Sequence, residues 1–124
     1  MTFIDTSVII AYLAGDEKII DLLKKENEKD ELKTTTITEY ELLKHKAAFD
    51  KQLAEEFLSE VNVCTFDRDS AKKAASLYWE LRKAGKIINE NDILIAGISL
   101  STCEVLLTRD KKLASINSER IKLI

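Results

Sequence analysis

Four carboxylates stand where an α/β chain can use them. Asp5 closes the short apolar stretch that begins at Thr2, and Asp110 follows Leu106-Leu107-Thr108. Glu41 lies one turn beyond Thr34-Thr35-Thr36, and Asp92 falls in the first turn of a helix opened by Asn89. Open α/β sheets bind ligands outside the carboxyl ends of their strands, so acids at strand-to-helix junctions are the first candidates for chemistry. Each acid alone also reads as a structural residue: Asp110 as a helix cap, Asp92 as partner to Asn89 in a capping arrangement, Asp5 as a turn former, Glu41 as complement to a helix dipole. Together they resist that reading, because four acids at one sheet edge without matching bases repel unless cations sit among them.

Other chemistries lack their residues. His45 is the only histidine, and its setting, Leu-Leu-Lys-His-Lys, reads as a solvated helix end, which argues against Ser-His-Asp, Cys-His or multi-histidine metal sites. Cys64 and Cys103 stand far apart with no C-x-x-C pairing and read as reduced thiols rather than as a zinc site or disulfide scaffold. No glycine-rich phosphate loop is present, which argues against nucleoside triphosphate binding.

The elements that position the acids alternate. Thr2 to Asp5 reads as a strand, and Thr6-Ser7 supplies hydroxyls to open a helical run from Val8 to Ala14, broken at Gly15. Asp16 starts a second helix with Ile19, Ile20, Leu22 and Leu23 on one face, followed by a charged loop through Glu31. Lys33 to Ile37 is Thr-rich and β-prone; helical runs follow from Thr38 to about Ala48 and from Asp50 to Ser59, then a strand in Val61 to Phe66. A long helix spans Asp67 to Ala84, with Gly85 placed just past its end. Asn89 caps a helix through Leu100 whose face Ile93, Ala96, Gly97 and Leu100 is rich in small residues that allow close packing. Val105 to Thr108 is a strand, Asp110 opens a short helix, and Ile121 to Ile124 is a last strand. Alternation of this kind specifies a parallel sheet with helices on its faces.

Composition agrees. With 124 residues, 45% hydrophobic and 33% charged, the chain can build one core, so a single domain over residues 1–124 is expected and disorder is not. The absence of Pro and the presence of only 3 Gly argue against a sandwich or barrel. The apolar runs from Val8 and from Ile93 are far shorter than the ~20 residues that span a bilayer, and Asp5 stands where a secretory leader would carry bases, so the expected place is the cytoplasm with no membrane contact. The net charge of −3 hides an asymmetry: residues 1–60 are acidic on balance and residues 61–124 basic, which places an anionic partner on the second half.

Four motifs in order carry a family resemblance across essentially the whole chain. Phe3-Ile4-Asp5-Thr6-Ser7-Val8-Ile9-Ile10 resembles the opening of PIN-domain nucleases, an Asp followed two positions later by a hydroxyl residue. Thr36-Ile37-Thr38-Glu39-Tyr40-Glu41-Leu42 is similar to their second motif, where the Glu before Leu is the acid that matters, which selects Glu41 over Glu39. Asn91-Asp92-Ile93-Leu94-Ile95-Ala96 and Leu107-Thr108-Arg109-Asp110 resemble the third and last. Length and motif order point to the VapC group of bacterial and archaeal toxins. One departure is that Gly97 and Ser99 stand where alanine is usual, which bears on packing more than on chemistry.

The resemblance implies a PIN-like three-layer fold, a central five-stranded parallel sheet with helices on both faces, and hydrolysis of RNA with Mg2+ or Mn2+. It also implies a homodimer and a cognate VapB-type antitoxin that holds the enzyme inactive near its acids. Asp5, Asp92 and Asp110 are then the main metal ligands, with Glu41 binding the ion or orienting a water, and Ser7 and Thr108 supporting them. Two bound dications would offset the acidic balance toward an RNA substrate. Arg82, Lys83 and Lys86 before the Asp92 helix, and Arg109, Lys111 and Lys112 around Asp110, are the candidates to grip phosphates. The alternatives are a PIN-like module that binds RNA or protein without cutting, and a receiver- or phosphatase-like module with Asp5 as phosphoacceptor. The first is disfavoured by the intact acid set; the second wants a lysine at a late strand end, where this chain has Thr108-Arg109-Asp110.

Overall fold

The computed structural model describes residues 1–45, 51–117 and 119–124. In chain order its elements are β1 (Thr2–Ile4), α1 (Thr6–Leu13), α2 (Glu17–Lys29), β2 (Leu32–Thr35), α3 (Thr36–Lys44), α4 (Lys51–Glu60), β3 (Asn62–Cys64), α5 (Arg68–Lys83), α6 (Glu90–Ser101), β4 (Val105–Thr108), α7 (Lys111–Ala114) and β5 (Ile121–Leu123). The five strands form one all-parallel sheet in the order β3-β2-β1-β4-β5.

Side chains alternate across that sheet, and the alternation sorts the helices. Phe3 pairs in register with Leu106, and Leu106 with Ile121; all three enter a cluster with Leu77, Leu81, Ile93, Ile95, Ile98 and Leu113 from α5, α6 and α7. Ile4 pairs with Leu107, and these face Val8, Ile9, Ile19, Leu23, Leu42 and Leu58 from α1 to α4. Helices therefore cover both faces, as a parallel sheet requires. On the first face α5 and α6 pack without a gap at Gly97, where a Cβ would stand 2.8 Å from Ala74 Cβ and 2.9 Å from the Ser70 carbonyl oxygen.

Local boundaries differ from the sequence reading for identifiable reasons. Helix α1 starts at Thr6 rather than Val8, because the cap is Asp5: its extended backbone (φ −90°, ψ −179°) lets its carboxylate accept from Val8 N–H. That leaves the hydroxyls of Thr6 and Ser7 available elsewhere. Helix α2 continues through Lys29 where a charged loop was expected; its Lys and Glu residues are good helix formers, and Ile19 and Leu23 bury its inner face. Thr35 caps α3, so Thr36 and Ile37 are helical rather than extended. The third strand is confined to Asn62–Cys64 and the last to Ile121–Leu123. Helix α3 ends at Lys44 with His45 extended beyond it; the expected stop at Ala48 and restart at Asp50 lie outside the described residues. Asp67 and Asn89 cap α5 and α6, and Gly85 takes φ +70° past the end of α5.

Candidate active site

The carboxyl ends of β1 and β4 lie side by side, and a lattice of hydroxyls joins them. Asp5 is buried at the end of β1. Its Oδ1 accepts from Ser7 Oγ at 2.6 Å and Val8 N–H at 3.0 Å, and its Oδ2 from Thr108 Oγ1 at 2.5 Å. Each hydroxyl also accepts a backbone N–H from the loop after β4: Ser7 Oγ from Arg109 at 3.0 Å, Thr108 Oγ1 from Asp110 at 3.0 Å. Asp110 caps α7 by accepting from Lys112 N–H at 2.8 Å. Ser7 and Thr108 thus tie Asp5 to the backbone that presents Asp110.

Glu41 reaches the same place from the middle of α3. Its Oε1 accepts from Thr6 Oγ1 at 2.6 Å and its Oε2 from Asn91 Nδ2 at 3.4 Å. Beyond the first turn of α3, it does not act as complement to that helix's dipole. Asp92 enters from the first turn of α6; Asn89 caps that helix through Asn91 N–H. Asp5, Glu41, Asp92 and Asp110 line one cavity of about 330 Å³ with Thr6, Ser7, Ile10, Lys44 and His45.

Electrostatics register the crowding. The Asp92 carboxyl is pushed up to about 7, first by burial and then by the charges of Asp110, Asp5 and Glu41. Burial also raises Asp5, against the pull of its bonds to Ser7, Thr108 and Val8, with Asp110 adding a smaller push. Asp16, half-buried, and Asp67, exposed, cap helices in the same way; the bond from Ile19 N–H and the Arg109 guanidinium hold Asp16 below the usual carboxylate range, and the bonds from the Ser70 N–H and hydroxyl hold Asp67 there. Capping alone therefore does not produce the effect. The donors are hard oxygens with excess negative charge, a set that fits a divalent cation such as Mg2+ or Mn2+. Among the described residues they surround the cavity rather than meeting three at a time about one point.

The basic candidates fall on its flanks. Arg82 stacks on Tyr78 with Nη1 2.8 Å from its hydroxyl, and Lys86 Nζ donates to the Ser115 carbonyl at 3.3 Å. Both line a larger cavity, about 460 Å³, between the end of α5 and the start of α6, which holds Glu90 but none of the four acids. Arg109 is turned toward α2 by an ion pair with Asp16 at 3.0 Å. Lys83, Lys111 and Lys112 are exposed. Thr6, Asn91, Lys44 and His45 do not stand out as site residues from sequence. Thr6 and Asn91 each sit beside a candidate acid, which is the available signal; Lys44 and His45 read as a solvated helix end, and they are exposed but also line the acid cavity.

Parallel strand order, helix-capped strand ends and clustered acids define an α/β domain of a particular class. A sequence profile of the PIN domain matches residues 2–119, and the chain belongs to that family. It is 34% identical over 95 residues to ribonuclease VapC3 of Methanocaldococcus jannaschii, covering 77% of this chain and 94% of that protein. Among solved structures, VapBC-1 of nontypeable Haemophilus influenzae aligns with a TM-score of 0.80 at 27% identity, over 98% of this chain and 96% of that one. VapBC2 of Rickettsia felis, bound to a DNA fragment from its promoter, aligns with a TM-score of 0.82 at 21% identity, over 99% and 98%, a likeness of fold.

Proposed function

We propose that the chain, as one PIN domain over residues 1–124, is a metal-dependent endoribonuclease and the toxin of a VapBC-type pair. The observation that carries this reading is the gathering of Asp5, Glu41, Asp92 and Asp110 around one cavity whose donors suit a hard cation, a crowding that adds to burial in pushing the Asp92 carboxyl up to about 7. The likeness to a VapC ribonuclease supports the substrate class.

Asp5, Asp92 and Asp110 would hold the ion, with Glu41 beside them. When bound, Mg2+ or Mn2+ supplies the positive charge that a phosphodiester needs before an oxygen nucleophile can approach it. Ser7 and Thr108 keep the Asp5 carboxylate from rotating. Glu41 would orient the attacking water and accept its proton as the water oxygen bonds to phosphorus and the P–O bond to the leaving ribose oxygen breaks, that oxygen taking a proton from solvent. Lys111 and Lys112 beside Asp110, and Arg82, Lys83 and Lys86 at the end of α5, meet the RNA backbone; Arg109 joins them on exchanging Asp16 for phosphate. A VapB-type antitoxin suppresses cleavage by presenting a basic side chain to the acids.

A homodimer completes the reading. Tyr12 packs on Phe57 at 5.1 Å between ring centroids, whereas Trp79 is 61% exposed beside Tyr78 on α5, an apolar surface suited to a second copy. Light scattering distinguishes a dimer from 14.1 kDa particles. No helix among the described residues is long and apolar enough to cross a membrane. The deciding experiment is cleavage of RNA by purified protein with Mg2+, with Mn2+ and with EDTA. Metal-dependent internal cuts are expected, and intact RNA under all three conditions rejects the enzyme in favour of a binding module.

A further inference from the structure

We infer that Thr6 and Asn91 are positioning residues that clamp Glu41, an inference that rests on the nuclease reading for its kinetic consequence but not for its geometry. Glutamate carries three rotatable bonds, and holding its carboxyl group over a shared cavity costs conformational entropy unless neighbours restrain it. Two neighbours do. Thr6, the first residue of α1, donates to Oε1 at 2.6 Å across 35 residues of sequence, and Asn91, in the first turn of α6, donates to Oε2 at 3.4 Å across 50. Each donor stands next to another acid of the site: Thr6 follows Asp5, and Asn91 precedes Asp92. The turns that place those acids therefore also aim the donors at Glu41, and α3 packs against both α1 and α6.

The chemistry of the donors matters as much as their placement. Both are neutral, so they orient the carboxyl group without cancelling charge, as a lysine or arginine would. The Thr6 hydroxyl also lies 3.2 Å from Thr38 Oγ1, but it has one proton, and the shorter contact with Glu41 takes it.

Kinetics and stability test the clamp separately. Thr6→Val keeps the shape and removes the donor; it should lower kcat for RNA by ~10-fold with KM within ~2-fold, because a bond that orients one catalytic group acts on the chemical step. Thr6→Ser should recover most of kcat. Asn91→Ala, on a different helix and with the longer bond, should cost ~3-fold. Wild-type kcat in Thr6→Val, or a Ser variant as impaired as the Val variant, overturns the clamp. Independently, melts in EDTA should show that Thr6→Val changes Tm less in a Glu41→Ala background than in the wild type, whichever way Glu41→Ala alone moves it. An equal change in both backgrounds overturns the clamp whether or not RNA is cut. If the change is smaller without Glu41 and the wild type cuts no RNA with Mg2+ or Mn2+, the nuclease reading falls and the clamp stands.

Discussion

The two ends of the sheet both bury charge, and they do so differently. Toward the amino ends of the strands, Lys33 of β2 and Glu104, just before β4, pair at 3.3 Å with side chains only 11% and 19% exposed. The Lys33 ammonium also stands 5.7 Å from the Phe3 ring centroid, and Glu104 keeps one oxygen without a hydrogen-bond partner. Charge there is balanced one to one. At the carboxyl ends, Asp5, Glu41, Asp92 and Asp110 surround one cavity, and burial together with the charges of Asp110, Asp5 and Glu41 moves the Asp92 carboxyl up to about 7. A balanced pair asks for nothing further, whereas an unbalanced cluster holds protons until a cation replaces them. Imbalance, more than burial, marks the end of the sheet where chemistry is expected.

Substitutions sharpen that contrast, starting with the largest effect. Asp92→Asn or Asp5→Asn should reduce metal-dependent RNA cleavage by at least ~10²-fold, since each keeps its shape and loses a charged ligand. Equal cleavage rates in purified wild type and both variants would dissolve the metal-site assignment. At the other end, Lys33→Met should destabilise by about 2 kcal/mol, below the range for a fully enclosed pair because some water reaches it, by leaving Glu104 uncompensated. Chemical denaturation measures the loss; an unaltered midpoint would mean that the pair is no different from a surface ion pair.

The two ends should also respond to charge removal with opposite sign. In EDTA, Asp92→Asn should raise the melting temperature by a few degrees, about 1 kcal/mol after allowance for solvent screening. Mg2+ should then stabilise wild type more than the variant. A variant that melts lower in EDTA and responds to Mg2+ like wild type would place Asp92 among ordinary surface acids.

The same cost of ionising Asp92 should appear in the pH dependence. Asp92 is raised from an ordinary 3.8 to about 7 in the fold, so between those values the native state holds a proton that the unfolded chain has released. Stability of the metal-free protein should therefore fall as pH rises through that window, and Asp5 adds in the same direction. Melts at a series of pH values in EDTA should show the decline in wild type and a flatter curve in Asp92→Asn.

Much of this was legible in the residues. Asp5 and Asp110 stand at strand ends that can be read from apolar stretches, and the caps at Asp16, Asp67 and Asn89 announce their helices. Less accessible was whatever depends on how helices pack. Asp5, Asp16 and Asp67 are all N-caps, yet deep burial moves Asp5 up while Asp16, half-buried beside Arg109, and Asp67, exposed, stay low, a difference that no local pattern carries. Thr6 reads as a helix opener, and its bond to Glu41 exists only because α1 lies against α3. Arg109 reads as a phosphate ligand by its place beside Asp110, but Asp16, 93 residues earlier, holds it. Lys33 reads as a polar strand residue until the Phe3 ring and the Glu104 carboxylate meet its side chain.

The bond from Thr108 to Asp5 joins residues 103 positions apart, and β1 acquires its β4 neighbour through the same pairing. Such a contact sets a schedule. During synthesis Asp5 waits, with its carboxylate still in water, while the 103 positions up to Thr108 are made. Non-local parallel pairing is slow because the intervening chain must be ordered before the contact rewards it. The site is therefore a late product of folding: no fragment ending before β4 can assemble it, and it appears together with the central pair of strands.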